Sequence, residues 1–91
     1  MVISEVNIMY YVYILKSISN KERIYIGLTT DIHRRLDEHN EGRCTYSKRY
    51  APWKLETYLA FSNKKLAKNF EVYLKAGSGQ AFFKKRLLPE R

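Results

Sequence analysis

The sequence predicts an α+β domain, because segments with strand periodicity and segments with helical periodicity follow one another along its 91 residues. Two short runs near the N-terminus are rich in aromatic and β-branched residues, and a third run in the middle alternates apolar and polar residues. Elsewhere the apolar residues recur at the spacing of amphipathic helices. A chain of this length has room for one domain and one modest core.

The first two strands are predicted to form a hairpin. Residues 10–15 are rich in tyrosine, valine and isoleucine, and residues 23–28 alternate isoleucine and leucine with tyrosine and glycine. The segment 16–22 between them is polar and suits a hairpin loop, which makes the two strands antiparallel. We therefore expect Tyr13 and Tyr25 on the same face of the sheet.

A first helix is predicted from an N-cap at Asp31 to about Glu41, where Gly42 is suited to end it in the left-handed conformation. The inward stripe of this helix is unusual. Its members, at i, i+3, i+4 and i+7, are Ile32, Arg35, Leu36 and His39. Half of the stripe is cationic or titratable, and burying such groups without partners is costly, so the stripe is expected to line a cleft.

The second half of the chain predicts a strand and two helices after a basic loop at 43–52. Residues 53–61 alternate with a largely apolar side, and Ser62 or Asn63 then caps a second helix. The predicted core stripe of this helix is Leu66, Phe70, Tyr73 and Leu74, with Glu71 beside it and the lysines Lys64, Lys65 and Lys68 facing outward. A glycine-rich break precedes a short last helix at 80–88.

The predicted organisation is a single domain at 10–88, with an N-terminal extension at 1–9 and a short tail at 89–91. The extension has Glu5 and Asn7 where a signal peptide needs an uninterrupted apolar region, and no apolar run is long enough to span a membrane. The one cysteine, Cys44, excludes an internal disulfide framework and argues against a structural zinc site. We expect a cytoplasmic protein without a membrane partner, and sequence leaves its oligomeric state open.

The charge balance favours a polyanionic partner. Seventeen Lys and Arg against nine Asp and Glu give a formal net charge of +8, which at this size is typical of nucleic-acid binding, although a solvated basic surface would give the same balance. Eight tyrosines supply stacking faces and phenolic groups. The residues predicted to contact nucleic acid are Arg34, Arg43, Lys48, Arg49, Lys84, Lys85 and Arg86.

Four segments in order resemble a known family. They are Tyr11-Val12-Tyr13, Tyr25-Ile26-Gly27, the run from Arg35 to Asn40, and the run from Phe70 to Lys75. Together they look like the GIY-YIG endonuclease domain, most closely its small stand-alone bacterial members, and the match extends from Tyr10 to about Leu88. The resemblance implies a three-stranded antiparallel sheet flanked by helices, and a divalent-metal phosphodiesterase of the kind found in excision-repair and homing endonucleases.

The resemblance also implies roles for single residues. Glu71 would hold one Mg²⁺ or Mn²⁺ ion, since a carboxylate oxygen suits such a cation. Arg35 would clamp the phosphate through its planar fork of donors. Tyr13 is the favoured base or water-orienting group, with Tyr25 and His39 supporting it, and the nearby cations are expected to favour its phenolate. Gly27 completes the site.

Each of these roles has a structural alternative. Tyr13 and Tyr25 are of a type enriched in strands, and His39 is favoured near a helix C-terminus by the macrodipole. Arg35 and Glu71 would also form a structural ion pair. Gly27 would serve only to let a helix or a phosphate approach the strand closely.

The sequence departs from the family pattern in two places. Tyr11 and Val12 stand where the family has glycine and isoleucine, and the asparagine that many members carry after the metal-binding glutamate has no counterpart. The leading hypothesis is a small Mg²⁺-dependent DNA endonuclease acting in repair or processing, with structure selectivity as one option. Its rival is a nucleic-acid-binding module with little or no turnover. A protein-interaction adaptor is a third hypothesis, which predicts an exposed apolar patch.

Overall fold

The computed structural model describes residues 8–88, which form a three-stranded antiparallel sheet with three helices, as the sequence predicts. The elements in chain order are β1 (Tyr10–Ser17), β2 (Ile24–Thr29), α1 (Ile32–Asn40), a short 3₁₀ helix (Lys48–Tyr50), β3 (Trp53–Phe61), α2 (Lys64–Leu74) and α3 (Ser78–Arg86). Of the predicted extension at 1–9, only Ile8 and Met9 lie within the described residues, and the predicted tail at 89–91 lies outside them. Within the described part of the chain no helix is long and apolar enough to cross a membrane.

The sheet has β1 in its centre, with β2 and β3 as antiparallel edge strands. The predicted β1–β2 hairpin is confirmed, and its register places Tyr13 opposite Gly27. On the other side Tyr13 faces Tyr58 of β3, beyond which the register shifts between Ile14 and Leu15. Directly paired residues point to the same face of a sheet, so Gly27 leaves space beside the Tyr13 ring.

Helices cover both faces of the sheet, which therefore has two core clusters. On one face the apolar side chains of Val12, Ile14 and Ile26 pack with Ala67 and Leu74 of α2, and Phe83 of α3 joins them. On the other face a second cluster consists of Tyr13, Leu15 and Trp53, with Leu36 of α1 packed against it. Because side chains alternate along a strand, Tyr13 points away from the aliphatic residues Val12 and Ile14 of the same strand.

The first helix follows its predicted signals. The Asp31 carboxylate accepts a hydrogen bond from the Arg34 backbone N–H at 3.1 Å, which caps the helix, and Gly42 has the left-handed φ of 77° that only glycine adopts without strain. The predicted inward stripe is also correct, because His39 is fully buried and Arg35 and Leu36 are half-buried.

The predicted inward face of α2 is partly wrong. Leu66 and Tyr73 were expected in the core, but they are 58% and 41% exposed, and the buried residues of this helix are Ala67, Glu71 and Leu74. The small Ala67 packs in the aliphatic cluster, which turns the helix so that Glu71 lies within its buried stripe instead of beside it. The expected cap is confirmed, since Asn63 accepts from the Leu66 N–H at 3.0 Å.

The segment 43–52 is more ordered than the predicted basic loop. It contains the 3₁₀ helix, and Ser47 immediately before that helix is fully buried. The Trp53 indole N–H donates to the Ser47 carbonyl at 2.8 Å, which fastens the segment to the start of β3. Consequently this segment contributes a buried side chain to the site as well as surface cations.

Candidate active site

The Tyr13 hydroxyl is the centre of a buried hydrogen-bonded cluster. It lies 3.0 Å from His39 Nε2 and accepts a hydrogen bond from Arg35 Nε at 3.2 Å. Tyr13 comes from the central strand, while Arg35 and His39 come from successive turns of α1, as their i, i+4 spacing predicts. The tyrosine is only 2% exposed, so the cluster is closed to solvent on the Tyr13 side.

Gly27 is required for the position of the Tyr13 ring. A Cβ at Gly27 would overlap the hydroxyl and ring atoms of Tyr13 across the β1–β2 pair. The sequence predicted a close approach at this glycine by a helix or a phosphate. The structure corrects the approaching group, which is the tyrosine itself, because the ring lies flat across the space that any other residue at position 27 would fill.

His39 continues the cluster to Ser47. The fully buried imidazole places Nδ1 2.6 Å from Ser47 Oγ, and the Ser47 hydroxyl lies 3.4 Å from the backbone carbonyl of Cys44. If Ser47 donates to that carbonyl, His39 Nδ1–H donates to Ser47 and Nε2 accepts from the Tyr13 hydroxyl. This orientation gives every donor from Arg35 to Ser47 an acceptor, so we assign it to the resting protein.

Burial keeps both members of the Tyr13–His39 pair neutral. Burial, together with the nearby Arg35 guanidinium, lowers the pKa of His39 to about 4, so the imidazole is uncharged at neutral pH. Burial also raises the pKa of Tyr13 to about 12, although the hydrogen bond from Arg35 acts in the opposite direction. Arg35 acts in the expected direction, toward the phenolate, but desolvation outweighs it, so the phenol stays protonated in this structure. A neutral His39 also gains little from the helix macrodipole.

Arg35 connects the buried cluster to the surface. Its side chain is 35% exposed, and its Nη1 donates to Glu38 Oε1 at 2.8 Å. The hydrogen bond to Glu38, followed by that to Tyr13, raises the pKa of Arg35, which stays charged throughout. The structural alternative of an Arg35–Glu71 ion pair is wrong, because the acidic partner of Arg35 is Glu38 on its own helix.

Tyr25 extends the aromatic side of the site along β2. Its ring centroid lies 6.1 Å from that of Tyr13 in a stacked arrangement and 4.5 Å from that of His39. Beyond it, Tyr46 lies 6.1 Å from Tyr25 and is 54% exposed. The two predicted strand tyrosines thus share one face, as expected, and a third tyrosine continues the series to the surface.

Glu71 lies on the helix that covers the opposite face of the sheet, and lysines occupy both of its oxygens. Lys68 Nζ donates to Oε1 at 2.9 Å and Lys75 Nζ donates to Oε2 at 2.8 Å. Burial pushes the pKa of Glu71 upward, but the hydrogen bonds from Lys75 and Lys68 outweigh it and leave the pKa below its ordinary value. The carboxylate is therefore ionised at neutral pH and already balanced by two cations.

The chain matches the GIY-YIG catalytic domain over residues 9–86, which includes every residue of this site. It belongs to the GIY-YIG family.

Relatives of this GIY-YIG domain include small UPF0213 proteins of several bacteria. The UPF0213 protein CPE1444 of Clostridium perfringens is 38% identical over 68 residues, which are 74% of this chain and 71% of that protein. A UPF0213 protein of Vibrio campbellii is 34% identical over 65 residues, 70% of this chain and 61% of that protein. The solution structure of the UPF0213 protein BH0048 from Bacillus halodurans has a TM-score of 0.54 at 28% identity, covering 89% of this chain and 88% of that one.

The donor set at Glu71 suits a hard divalent cation under one condition. Mg²⁺ is commonly bound through one or two carboxylates plus water and substrate phosphate, and Glu71 offers one ionised carboxylate. Within residues 8–88 no group of three or more His, Cys, Asp or Glu side chains is placed to hold a metal. A cation would therefore have to displace Lys68 and Lys75, which are 60% and 50% exposed and thus free to move.

The cations predicted to contact nucleic acid lie on the surface of the GIY-YIG domain, but not in one patch. Arg34 is 3.8 Å from Glu38 and Arg43 is 3.1 Å from Glu41, so these two have acidic neighbours. The remaining cations are Lys48 and Arg49 in the 3₁₀ helix, and Lys84, Lys85 and Arg86 in the last turn of α3. Their contact with nucleic acid stays a prediction.

Sequence reasoning missed several features of the site, among them the lysine partners of Glu71 and the buried Ser47. Lys68 precedes Glu71 by three residues and Lys75 follows it by four. Side chains at these spacings are neighbours on a helix, so the sequence was sufficient to predict both ion pairs. Ser47 had no comparable signal. A lone serine in a basic segment is usually exposed, and its role depends on the return of residues 43–52 beneath α1.

Proposed function

We propose that this GIY-YIG domain is a metal-dependent endonuclease that hydrolyses phosphodiester bonds of DNA, acting in the cytoplasm in repair or processing. The observation that carries the proposal is the chain of contacts from Arg35 Nε through the Tyr13 hydroxyl to His39 Nε2. It places a guanidinium, a phenol and a neutral imidazole in hydrogen-bond contact. These are the groups that general acid–base hydrolysis of a phosphodiester requires.

The Tyr13–His39 pair would act as a proton relay. At neutral pH the buried imidazole carries no proton on Nε2 in the assigned orientation, so this nitrogen is available to accept one. A water molecule at the Tyr13 hydroxyl would lose its proton to that oxygen while Tyr13 passes its own proton to His39. With the pKa of Tyr13 at about 12, a relay of this kind avoids a free phenolate, and movement of Arg35 toward the phosphate would remove one of the two causes that hold the pKa of His39 at about 4.

Arg35 would bind the phosphate and uncover Tyr13 in the same movement. Its guanidinium is the exposed member of the cluster, and among residues 8–88 its hydrogen-bond partners are Glu38 and the Tyr13 hydroxyl. A phosphate diester offers two non-bridging oxygens that share one negative charge, and this pair matches the guanidinium fork better than one phenol does. When Arg35 turns toward the phosphate, the Tyr13 hydroxyl becomes reachable for water.

Glu71 would hold a Mg²⁺ or Mn²⁺ ion once Lys68 and Lys75 release its oxygens. Such an ion, when bound, supplies electrostatic stabilisation of charge on the phosphate and on the leaving oxygen. The two lysines are well placed for exchange, because their ammonium groups are exposed and a nearby substrate phosphate offers them an alternative partner.

A nucleic-acid-binding module without turnover is the second candidate. It is favoured by the closed resting site, in which Tyr13 is almost completely buried and both Glu71 oxygens are neutralised by lysine. Both candidates predict binding to nucleic acid that falls as salt rises, because the net charge is +8. They differ in whether a divalent ion converts binding into cleavage.

The test is a cleavage assay on single-stranded, duplex, flapped and branched DNA, with matched RNA strands. Nicking or cleavage that requires Mg²⁺ or Mn²⁺ and stops with chelator supports the endonuclease. The pattern of substrates cut reveals any preference for shape. Binding to the same panel with no cleavage in either metal supports the binding module.

A further inference from the structure

A basic cleft lies between the β1–β2 hairpin and α3, outside the Tyr13–Glu71 site. Its volume is about 600 Å³, and its walls include four cations and one carboxylate. The cations are Lys16, Lys21 and Arg23 of the hairpin and Lys84 of α3, and the carboxylate is Glu22. We call this feature the hairpin cleft. Of its cations, only Lys84 belongs to the set that sequence predicted for nucleic-acid contact.

The four cations of the hairpin cleft form no ion pair in the part of the chain that the structure describes. Within residues 8–88, none of them comes within 4.0 Å of an acidic oxygen. Elsewhere on this surface cations do have such partners, as Arg43 has Glu41 and Lys54 has Glu56. With four cations against the one carboxylate of Glu22, this concave surface has a net positive charge, which concentrates the potential and attracts a polyanion.

The hairpin cleft is continuous with the candidate active site. Tyr46 and Gln80 line it, and the same two residues also line a neighbouring depression of about 240 Å³. The walls of that depression include Tyr25, which stacks on Tyr13, and Lys75, which is bonded to Glu71. The edge of β2 is therefore where the relay on one sheet face and the carboxylate on the other approach a common surface.

We propose that the hairpin cleft binds the phosphodiester backbone of the DNA strand next to the scissile phosphate, with Lys16, Lys21, Arg23 and Lys84 contacting successive phosphates. The cations extend from the hairpin tip to the last turn of α3, which suits an extended chain of phosphates better than one anion. The exposed ring of Tyr46 at the junction is placed to stack on a base where the strand enters the site. This inference rests on the proposed function, because the strand is placed relative to that site.

The test compares two charge-neutralised variants that remove the same charge from different surfaces. Lys21→Gln/Arg23→Gln removes two cations of the hairpin cleft, and Lys64→Gln/Lys65→Gln removes two exposed cations at the start of α2. Affinity for a short labelled DNA duplex and the same single strand is measured by fluorescence anisotropy, in chelator, over a range of salt concentrations. Thermal unfolding of each variant checks that the fold is kept, since the Arg23 guanidinium also lies over the Tyr50 ring.

We expect the cleft variant to bind more weakly and its log–log salt slope to fall by about two units, one for each lost phosphate contact. The α2 variant should keep the wild-type slope. Wild-type affinity and slope in the cleft variant, or an equal loss in the α2 variant, would overturn the inference. So would a wild-type protein that does not bind DNA.

Because chelator prevents metal-dependent cleavage, this result is separate from the fate of the proposed function. A protein that binds DNA through the hairpin cleft but cuts nothing with Mg²⁺ or Mn²⁺ would support the cleft and refute the endonuclease. A protein that cuts DNA with an unchanged salt slope in the cleft variant would refute the cleft alone.

Discussion

Arg35 and Glu71 belong to helices on opposite faces of the sheet, and each already has a counterion on its own helix. Arg35 is paired with Glu38, whereas Glu71 is paired with Lys68 and Lys75. The resting protein therefore has a site in which every charge is satisfied locally. In the proposed function, binding of a phosphate and a divalent ion would exchange these partners.

The first prediction concerns the lysines that occupy Glu71. In Lys68→Gln/Lys75→Gln the pKa of Glu71 should rise, because burial is no longer opposed by two ammonium groups. Mn²⁺ binding at neutral pH should tighten, since the ion no longer competes with lysine. Carboxylate NMR titration and Mn²⁺ relaxation enhancement measure the two effects. Lys64→Gln/Lys65→Gln is the matched control. Equal Mn²⁺ affinity in the wild type and both variants would show that Lys68 and Lys75 do not compete with the ion for Glu71.

A second prediction concerns the Tyr13 hydroxyl. Tyr13→Phe keeps the ring over Gly27 but leaves the buried His39 Nε2 without its donor, so stability should fall by about 1–3 kcal/mol. Any cleavage should fall sharply, because the relay has lost its first member. The control is Tyr58→Phe, which alters a half-exposed tyrosine opposite Tyr13 on β3. Denaturant unfolding and cleavage rates measure both, and full activity in Tyr13→Phe would reassign the residue to the core.

The third prediction is that Ser47 selects the tautomer of His39. In the assigned orientation the wild-type imidazole carries its proton on Nδ1, because that nitrogen donates to Ser47 Oγ. Ser47→Ala should populate the Nε2–H tautomer, which long-range ¹H–¹⁵N NMR spectra of the ring distinguish directly. Ser62→Ala changes an exposed serine and should leave the spectrum as it is. A wild-type ring protonated on Nε2 would contradict the assignment.

The fourth prediction is a loss of stability in acid that depends on His39. The pKa of the imidazole is about 4 in the folded protein and 6.5 for an unperturbed histidine, so between these pH values the unfolded chain binds a proton that the folded protein does not. The contribution of neutral His39 to the free energy of unfolding is therefore complete above pH 6.5 and is lost as pH falls toward 4. The full loss is roughly 3 kcal/mol at most.

Denaturant unfolding of wild type and His39→Gln across this pH range isolates the effect. Glu38 and Glu71, whose pKa values are also lowered, lose stabilising interactions in acid in both proteins, so the difference between the curves belongs to His39. Parallel curves would mean that the imidazole titrates normally.

Local signals predicted the half of the site that lies on β1, β2 and α1. The i, i+4 spacing of Arg35 and His39 and the hairpin register of Tyr13 and Tyr25 depend on backbone periodicity alone. The sequence predicted a close contact at Gly27, but not that the Tyr13 ring makes it. The position of this ring depends on contacts with α1, such as the hydrogen bond from Arg35.

The remaining part of the site depends on tertiary packing. Helix α2 packs on the sheet through the small Ala67, whereas the larger Leu66 and Tyr73 are exposed. A prediction from apolar character alone places the larger residues in the core instead. The burial of Ser47 depends on the Trp53 indole, six residues farther along the chain, which donates to the Ser47 carbonyl. No sequence pattern predicts such a contact. Desolvation likewise reversed the expected direction of the Tyr13 pKa shift.

The fifth prediction concerns the two charged residues without which the proposed chemistry fails. Arg35→Ala removes the phosphate-binding group and Glu71→Gln removes the carboxylate charge, and each should slow cleavage by about 100-fold or more at saturating DNA. Matched changes at two exposed positions outside the relay, Arg34→Ala and Glu41→Gln, should keep turnover near wild type at saturating DNA, where loss of a predicted DNA contact at Arg34 alters affinity and not rate.

The most direct measurement of the whole account is single-turnover cleavage of DNA by wild type and Glu71→Gln in Mn²⁺, with binding followed in the same samples. The account predicts metal-dependent cleavage by the wild type, and a Glu71→Gln protein that binds DNA at least as tightly but does not cut. Equal cleavage by the two proteins, or no cleavage by the wild type of any DNA that it binds, would contradict it.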